Sequence, residues 1–408
     1  MSVQSGRKMG HGFIQGMLHG LDDDRHARFS LPVLSILLTL VAASVLLLAL
    51  GRNPMTAMTA FLRGSGLLPK PNYAGGQSML SDFLSFLGIL APMLLAALGV
   101  IVAMKAGMFN IGIAGQMLAA GFVATATVGY SSLGAYVARP LVILVGIATG
   151  GVLGAAIGYL KHRFNIHEVV SSIMFNYIIS YVTGFAINTY YVDAVSRSSR
   201  IGSSASRLSI TGITVGGARL TLPIGIVLAI VGAFFLLFLL DRTVVGFEMK
   251  AVGLSKDCAQ YAGVDVGRSI VLAMGLSGMF GGLAGVTYYM GYFNTIIPKE
   301  LATLGYDSIA VALLGNVSPV GAVFSSVLIT IFQRGSVYMS STVGVPREIA
   351  SVITGILLLF SACGIYMRHL AKKAMQQSAE TGAAGHEAGA AGHEVGVARD
   401  ETDWSGGG

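Results

Sequence analysis

Runs of about 20 apolar residues recur along this chain, and they leave it few folds to choose from. Residues 31–50, 79–104, 140–160, 220–240, 270–289 and 349–367 are dominated by aliphatic, aromatic and small side chains. At about 1.5 Å of rise per residue, such a run built as a helix crosses the roughly 30 Å hydrocarbon core of a bilayer. The runs are continuously apolar rather than alternating, which fits helices and not the strands of a barrel. A helix also satisfies its own backbone hydrogen bonds where no water is present. Composition agrees: 54% of the chain is hydrophobic and only 11% is charged, whereas a soluble domain carries about a quarter charged residues. The expected fold is all-α, a polytopic membrane helix bundle.

Read in order, residues 1–30 form a polar, basic segment with Arg7, Lys8, Arg25 and Arg28, expected in the cytoplasm. They precede the first apolar run and carry no signal-peptide pattern. A transmembrane domain is expected over 31–369. Its first span, 31–50, leads through a Pro/Gly-rich loop at 51–78 to a second span at 79–104, which Pro92 is expected to break. Spans at 111–129 and 140–160 follow. Lys161, His162 and Arg163 then mark a tight cytoplasmic turn before a span at 169–191. Residues 192–219 read as a Ser/Arg/Gly-rich outer loop, 220–240 as the next span and 270–289 as another. Residues 301–315 and 320–332 read as two short or broken helices around the turn signal Asn316-Val317-Ser318-Pro319, and 349–367 as the last span. About ten crossings result, with both termini cytoplasmic, an orientation that a small excess of Lys and Arg on the inner segments supports. Residues 370–408, where AAGHEAG is followed by AAGHEVG, are low in complexity and expected to be disordered. Gly107-Met108-Phe109-Asn110 after the second span echoes Gly291-Tyr292-Phe293-Asn294 after the seventh. These spans run in opposite directions, so an inverted repeat is possible in this topology.

Several functions are disfavoured. The chain holds no G-x-x-x-x-G-K-[ST] loop for ATP, no HExxH, no CxxC and no G-x-S-x-G. Its two cysteines, Cys258 and Cys363, give no disulfide framework. The net charge of +7 comes from basic residues scattered singly at span ends, which serves membrane anchoring and not nucleic-acid binding. His386 and His393, each followed by Glu, read as part of a solvated tail, and no metal site is expected.

One stretch stands apart. Residues 243–266, within a polar segment at 241–268, interrupt the apolar pattern with charges and small residues. Ser255 can cap a short helix with Asp257 in its first turn, Ala259, Tyr261 and Ala262 offer contact surface, and Gly253 and Gly263 punctuate the ends. Such a segment can lie across the membrane face and dock in a groove of a soluble partner; an ordinary interhelical loop is the plainer alternative. Within the spans, Asn110 and Gln116 sit among glycines, Asn176 lies about two turns into its helix, and Asp307 interrupts an apolar segment. Buried amides and acids in a membrane either join helices or line a polar path, so these four and Asn294 are solute-pathway candidates. Glu168 and Lys105 read as helix-end residues.

Four motifs in order, AGMFNIGIAGQM, HEVVSSIMFNY, KAVGLSKDCAQYAG and GYDSIAVALLG, together resemble the permease subunits of bacterial ABC importers for nucleosides and simple sugars. The wider group includes ribose and branched-chain amino acid permeases, and the resemblance covers roughly residues 85–365. It implies a coupling helix around 253–263, with Glu248, Gly253, Ser255, Ala259, Tyr261, Ala262 and Gly263 facing a separate ATPase that carries the ATP and Mg. It further implies a second, different permease subunit, an extracytoplasmic solute-binding protein, a bacterial cytoplasmic membrane location, and no cofactor in this chain. This sequence departs from the family pattern at Ala114, where an acid is usual, and at His167, where Asn is usual. The resemblance implies a nucleoside as solute, with simple sugars such as ribose next. An ion-coupled carrier or a membrane-embedded enzyme would need buried acids or a catalytic constellation that the sequence scarcely offers.

Overall fold

The computed structural model describes residues 24–362, apart from 74–76, 216–217 and 347. Residues 1–23, the end of the last expected span beyond 362, Cys363 and the expected disordered tail lie outside the described residues. The chain divides into two compact units, one of residues 1–40 with 359–408 and one of residues 41–358. In the first, the described residues 24–40 and 359–362 are helical.

The second unit is a helical bundle with one hairpin. Its elements are the end of α1 (Asp24–Ala49), α2 (Pro54–Gly64), α3 (Met79–Lys105), α4 (Ile113–Ala124), α5 (Ala135–Phe164), α6 (Glu168–Ala186), β1 (Ser209–Val215), β2 (Ala218–Pro223), α7 (Gly225–Arg242), α8 (Val244–Leu254), α9 (Lys256–Tyr261), α10 (Val266–Thr287), α11 (Thr303–Leu314), α12 (Pro319–Val343) and the start of α13 (Glu348–Ala362). Single π-helical turns extend α4, α6 and α10. Six of the described helices are long and apolar enough to cross a membrane. A seventh crossing arises if α1 and α2, bent by 116° at their junction, count as one; 113–129 and 303–314 are shorter apolar helices.

α3 is the axis of this unit. Every residue from Ala91 to Ala103 is buried, because α7, α10, α11 and α12 surround it. An all-round apolar sequence is what such a position requires. A Ser78–Ser81 capping box opens α3. Gly107 closes it at φ +69, with Gly107 N–H donating to Met104 O and Met108 N–H to Ala103 O, a Schellman ending that a residue free of Cβ permits. The break expected at Pro92 does not occur: α3 runs through it.

α5 and α10 cross at the tightest approach in the unit. Gly146, Gly150, Gly154 and Gly158 recur every four residues and meet Met274, Gly278, Gly282 and Val286, spaced the same way on α10. A Cβ on Gly150 would overlap the Gly278 carbonyl oxygen, and one on Gly282 that of Gly146. Small residues at helical spacing let two backbones touch where lipid supplies no hydrophobic drive.

The two halves share a plan. α3 (27 residues), a break, a short helix and α5 (30 residues) form one half. α10 with its π turn (27 residues), a break, short α11 and α12 (25 residues) form the other. A Cβ added to Gly88 would lie 3.0 Å from the Tyr292 ring, and one added to Gly99 2.8 Å from Ser277 O. Ascending numbers on α3 thus meet descending ones on α10, so the helices run antiparallel, as an inverted repeat demands. The four-residue echo marks equivalent places but not equivalent backbone: Gly107 is the left-handed residue in one half and Asn294 (φ 61) in the other.

Two expectations are corrected. Residues 192–219 are not all loop, because Ser209–Val215 pairs with Ala218–Pro223 in an antiparallel hairpin. α7 accordingly starts at Gly225 and not at 220. The second helix of the 301–332 region is not short: α12 continues past Phe332 to Val343. Gln333 and Arg334 interrupt its apolar run, but groups on neighbouring helices accept from Gln333 Nε2 and from both terminal nitrogens of Arg334, though not from its Nε, so the helix can continue there.

Candidate functional site

The polar stretch between α7 and α10 folds as three consecutive capped helix starts. Thr243 Oγ1 accepts from Gly246 N–H at 3.1 Å, Ser255 Oγ from Cys258 N–H at 3.4 Å, and Asp265 Oδ1 from Arg268 N–H at 3.0 Å. Gly263 (φ +84) ends α9 in a Schellman motif, with Val264 N–H donating to Ala259 O and Gly263 N–H to Gln260 O. Each cap satisfies a backbone group that a free loop would leave to water, so the segment is a shaped surface.

That surface presents Leu254 and Tyr261, 90% and 95% exposed, flanking Lys256, Asp257 and Cys258. Ser255 and Glu248 are half-buried, and Ala262 and Gly263 are exposed. Ala259, expected on the contact surface, is instead buried at 4% and anchors α9 to the body. Gly253 is also a packing residue: a Cβ there would overlap the Lys105 carbonyl oxygen, and Gly107 sits against its Cα. Any displacement of α8–α9 therefore bears directly on the end of α3 and on the break at 106–112. At the same end, Gly267 abuts the His162 ring, and Lys161 Nζ pairs with Glu168 Oε2 at 3.1 Å across the turn to α6. His167 Nδ1, not Glu168, caps α6 by accepting from Val169 N–H.

Within the break and just beyond it lies a buried amide network. Asn110 Nδ2 donates to Ser277 Oγ at 2.8 Å and to Gln116 Oε1 at 3.2 Å, and Asn110 Oδ1 accepts from Gly112 N–H. Asn176 Oδ1 accepts from Gly115 N–H at 2.9 Å, while its Nδ2 donates to Ile111 O and to Tyr306 Oη. Asn110, Gln116 and Asn176 are at most 2% exposed. They satisfy the backbone where the chain leaves helix inside the bundle, a place that needs such partners. Gln116 Nε2 is buried without one. We expect Asn176→Leu, which keeps the branched shape but no polar atom, to leave the Gly115 N–H and Ile111 C=O unpaired and to cost about 2 kcal/mol. A lowered unfolding temperature in detergent, with Asn176→Gln intermediate, is the corresponding measurement.

A third group lies toward the opposite end. Gln333 Nε2 donates to Asp307 Oδ2 at 2.6 Å, and Arg334 donates to Tyr292 Oη at 2.8 Å and Ser85 Oγ at 2.7 Å. These bonds tie α12 to α11, α10 and α3. Asn294 Oδ1 is buried without a hydrogen-bond partner among the described residues. Sequence reasoning found Asp307 and Asn294 but missed Ser85, Ser277, Tyr292, Gln333 and Arg334. The adjacent Gln-Arg pair inside an otherwise uncharged 320–343 was the available signal, since an arginine at membrane depth demands partners.

The family model for the "Branched-chain amino acid transport system / permease component" matches residues 83–362, which take in all three groups. This chain belongs to that permease family. It is similar to the guanosine ABC transporter permease NupP of Bacillus subtilis, at 33% identity over 87% of this chain and 99% of the relative. It is 29% identical to the nucleoside ABC transporter permease NupB of Lactococcus lactis, over 84% of this chain and 93% of the relative. The glucose ABC transporter permease TsgB13 of Haloferax volcanii shares 23% over 81% and 86%. No solved structure matches. The permease is thus a multi-pass membrane protein and a transport subunit.

Proposed function

We propose that this permease conducts nucleosides as the transmembrane subunit of an ABC importer. The similarity to the guanosine permease across 99% of that protein's length carries the reading; the sugar permease is matched at lower identity. A separate ATPase carries ATP and Mg and grips the α8–α9 surface through Leu254 and Tyr261, with Ser255, Ala262 and Gly263 shaping it and Glu248, Gly253 and Ala259 coupling it to the body. That end, with both termini, faces the cytoplasm. A second permease, encoded as a different chain, completes the pathway, and an extracytoplasmic binding protein delivers the solute to the opposite end. Asn110, Gln116, Asn176, Asn294 and Asp307 line or support the path. Rocking of the antiparallel halves about the break at 106–112 alternates access.

Uptake of labelled guanosine, uridine, adenosine, ribose and leucine in cells with and without the gene tests this. We expect nucleoside uptake to fall in the deletion and to vanish on ATP depletion. Gene-dependent uptake of ribose alone would replace the nucleoside assignment with the sugar one, and gene-dependent uptake that survives ATP depletion would overturn the ABC mechanism.

A further inference from the structure

At the end of α10 remote from the docking surface, a cavity of about 130 Å³ opens among Tyr288, Tyr289, Phe293, Thr295, Glu300 and Thr303. It lies where α10 leaves its π turn and the chain descends without helix to α11. α10 with that turn spans 27 residues, or about 40 Å, so the cavity and the α8–α9 surface sit on opposite sides of the membrane. A solute entering from the delivering side meets the cavity first.

Its chemistry is unusual for a membrane bundle. Phe293 packs tilted at 54° against Tyr288 (ring centroids 4.8 Å apart) and edgewise on Tyr292 (4.9 Å), yet remains 50% exposed. One aromatic face is thereby held rigid and left open. Glu300 is exposed beside it and makes no ion pair among the described residues. The second carboxylate of the neighbourhood, Asp307, is held by Gln333. Thr295 and Thr303 add hydroxyls that can donate or accept.

We propose that this cavity is the entry subsite for a nucleoside, with the base stacked on Phe293 and the ribose 2′,3′-diol donating to the Glu300 carboxylate; the proposal rests on the nucleoside reading above. A flat π face recognises any base without reading its edge. An ionised carboxylate accepts two hydrogen bonds at once and so selects a vicinal diol. The cavity grips one end of the solute only, which suits a site that must release what it binds.

The test is transport kinetics of the complete importer in cells, with guanosine and 2′,3′-dideoxyguanosine as probes and membrane levels checked by immunoblot. Glu300→Gln should raise the KM for guanosine about ten-fold and leave that for the dideoxy compound unchanged. Phe293→Ala should raise both about ten-fold, and Phe293→Trp should restore them. Unchanged KM values in Glu300→Gln and Phe293→Ala, with a wild-type importer that does carry guanosine, would overturn the subsite and leave the proposed function standing. An equal rise for both probes in Glu300→Gln would overturn the diol contact. A wild-type importer that carries neither probe would overturn the nucleoside reading and this subsite with it.

Discussion

Gly150→Val should strip this permease of its stable fold. The Cβ would overlap the Gly278 carbonyl oxygen and would also press on the Gly282 backbone. Backbone cannot rotate aside as a flexible side chain can, so α5 and α10 must separate along their whole crossing. Overpacking a tight core costs about 1–3 kcal/mol and more where backbone must move. The four-fold repeat of the contact, from Gly146 to Gly158, places this substitution at the upper end. We expect the variant to unfold at a much lower temperature in detergent, or to fail to accumulate. Gly275→Ala is the control on the facing helix, α10: its Cβ would sit 3.5 Å from the nearest atom, Ala155 Cβ, an ordinary contact. Helix propensity then favours alanine by up to about 1 kcal/mol, and the unfolding temperature should hold or rise. Equal loss in both variants would contradict the packing account.

Leu254 and Tyr261 should give the opposite phenotype, an intact protein that does not transport. Both are large apolar side chains exposed by at least 90% on a segment whose backbone is fully capped. Removing them costs the fold little. A tyrosine anchor such as Tyr261 can contribute about 2 kcal/mol or more to an interface, which is about thirty-fold in affinity, and Leu254 adds apolar area beside it. The double variant Leu254→Ala, Tyr261→Ala should reach the membrane at normal levels, co-purify poorly with its ATPase and lose nearly all uptake. Normal uptake by the double variant would remove the docking role from this surface. Gly253 is no substitute for this experiment, since it packs on Lys105 and Gly107 and any side chain there disturbs the body first.

The sequence disclosed class and landmarks better than depth. Continuous apolar runs identify spans because lipid permits little else, and the capped segment at 243–266 was legible because Ser255, Asp257 and Gly263 carry local signals. What stayed hidden depends on contacts distant in sequence. Arg334 reads as the end of a span until Ser85 and Tyr292 are seen to receive it. Ala259 reads as surface until α9 is seen to turn it toward the core. Pro92 reads as a break until α3 is seen to be surrounded on every side. The glycines of α5 show their four-residue period in the sequence, but only the antiparallel partner on α10 explains it. The amides at 110, 116 and 176 were picked out as polar groups in apolar surroundings. Their principal visible task is to hold the backbone of the break at 106–112.

The most direct test of the central claim, a permease driven through its α8–α9 surface by a separate ATPase, uses a residue already in place. Cys258 is a free, exposed thiol on α9. In the assembled importer, a short thiol cross-linker should join Cys258 to the ATPase subunit. Maleimide labelling of Cys258 should be strongly slowed relative to the permease alone, and Cys258→Ser should abolish both signals. A Cys258 that labels equally fast with and without the ATPase, and never cross-links to it, would show that the motor grips elsewhere and would contradict the account.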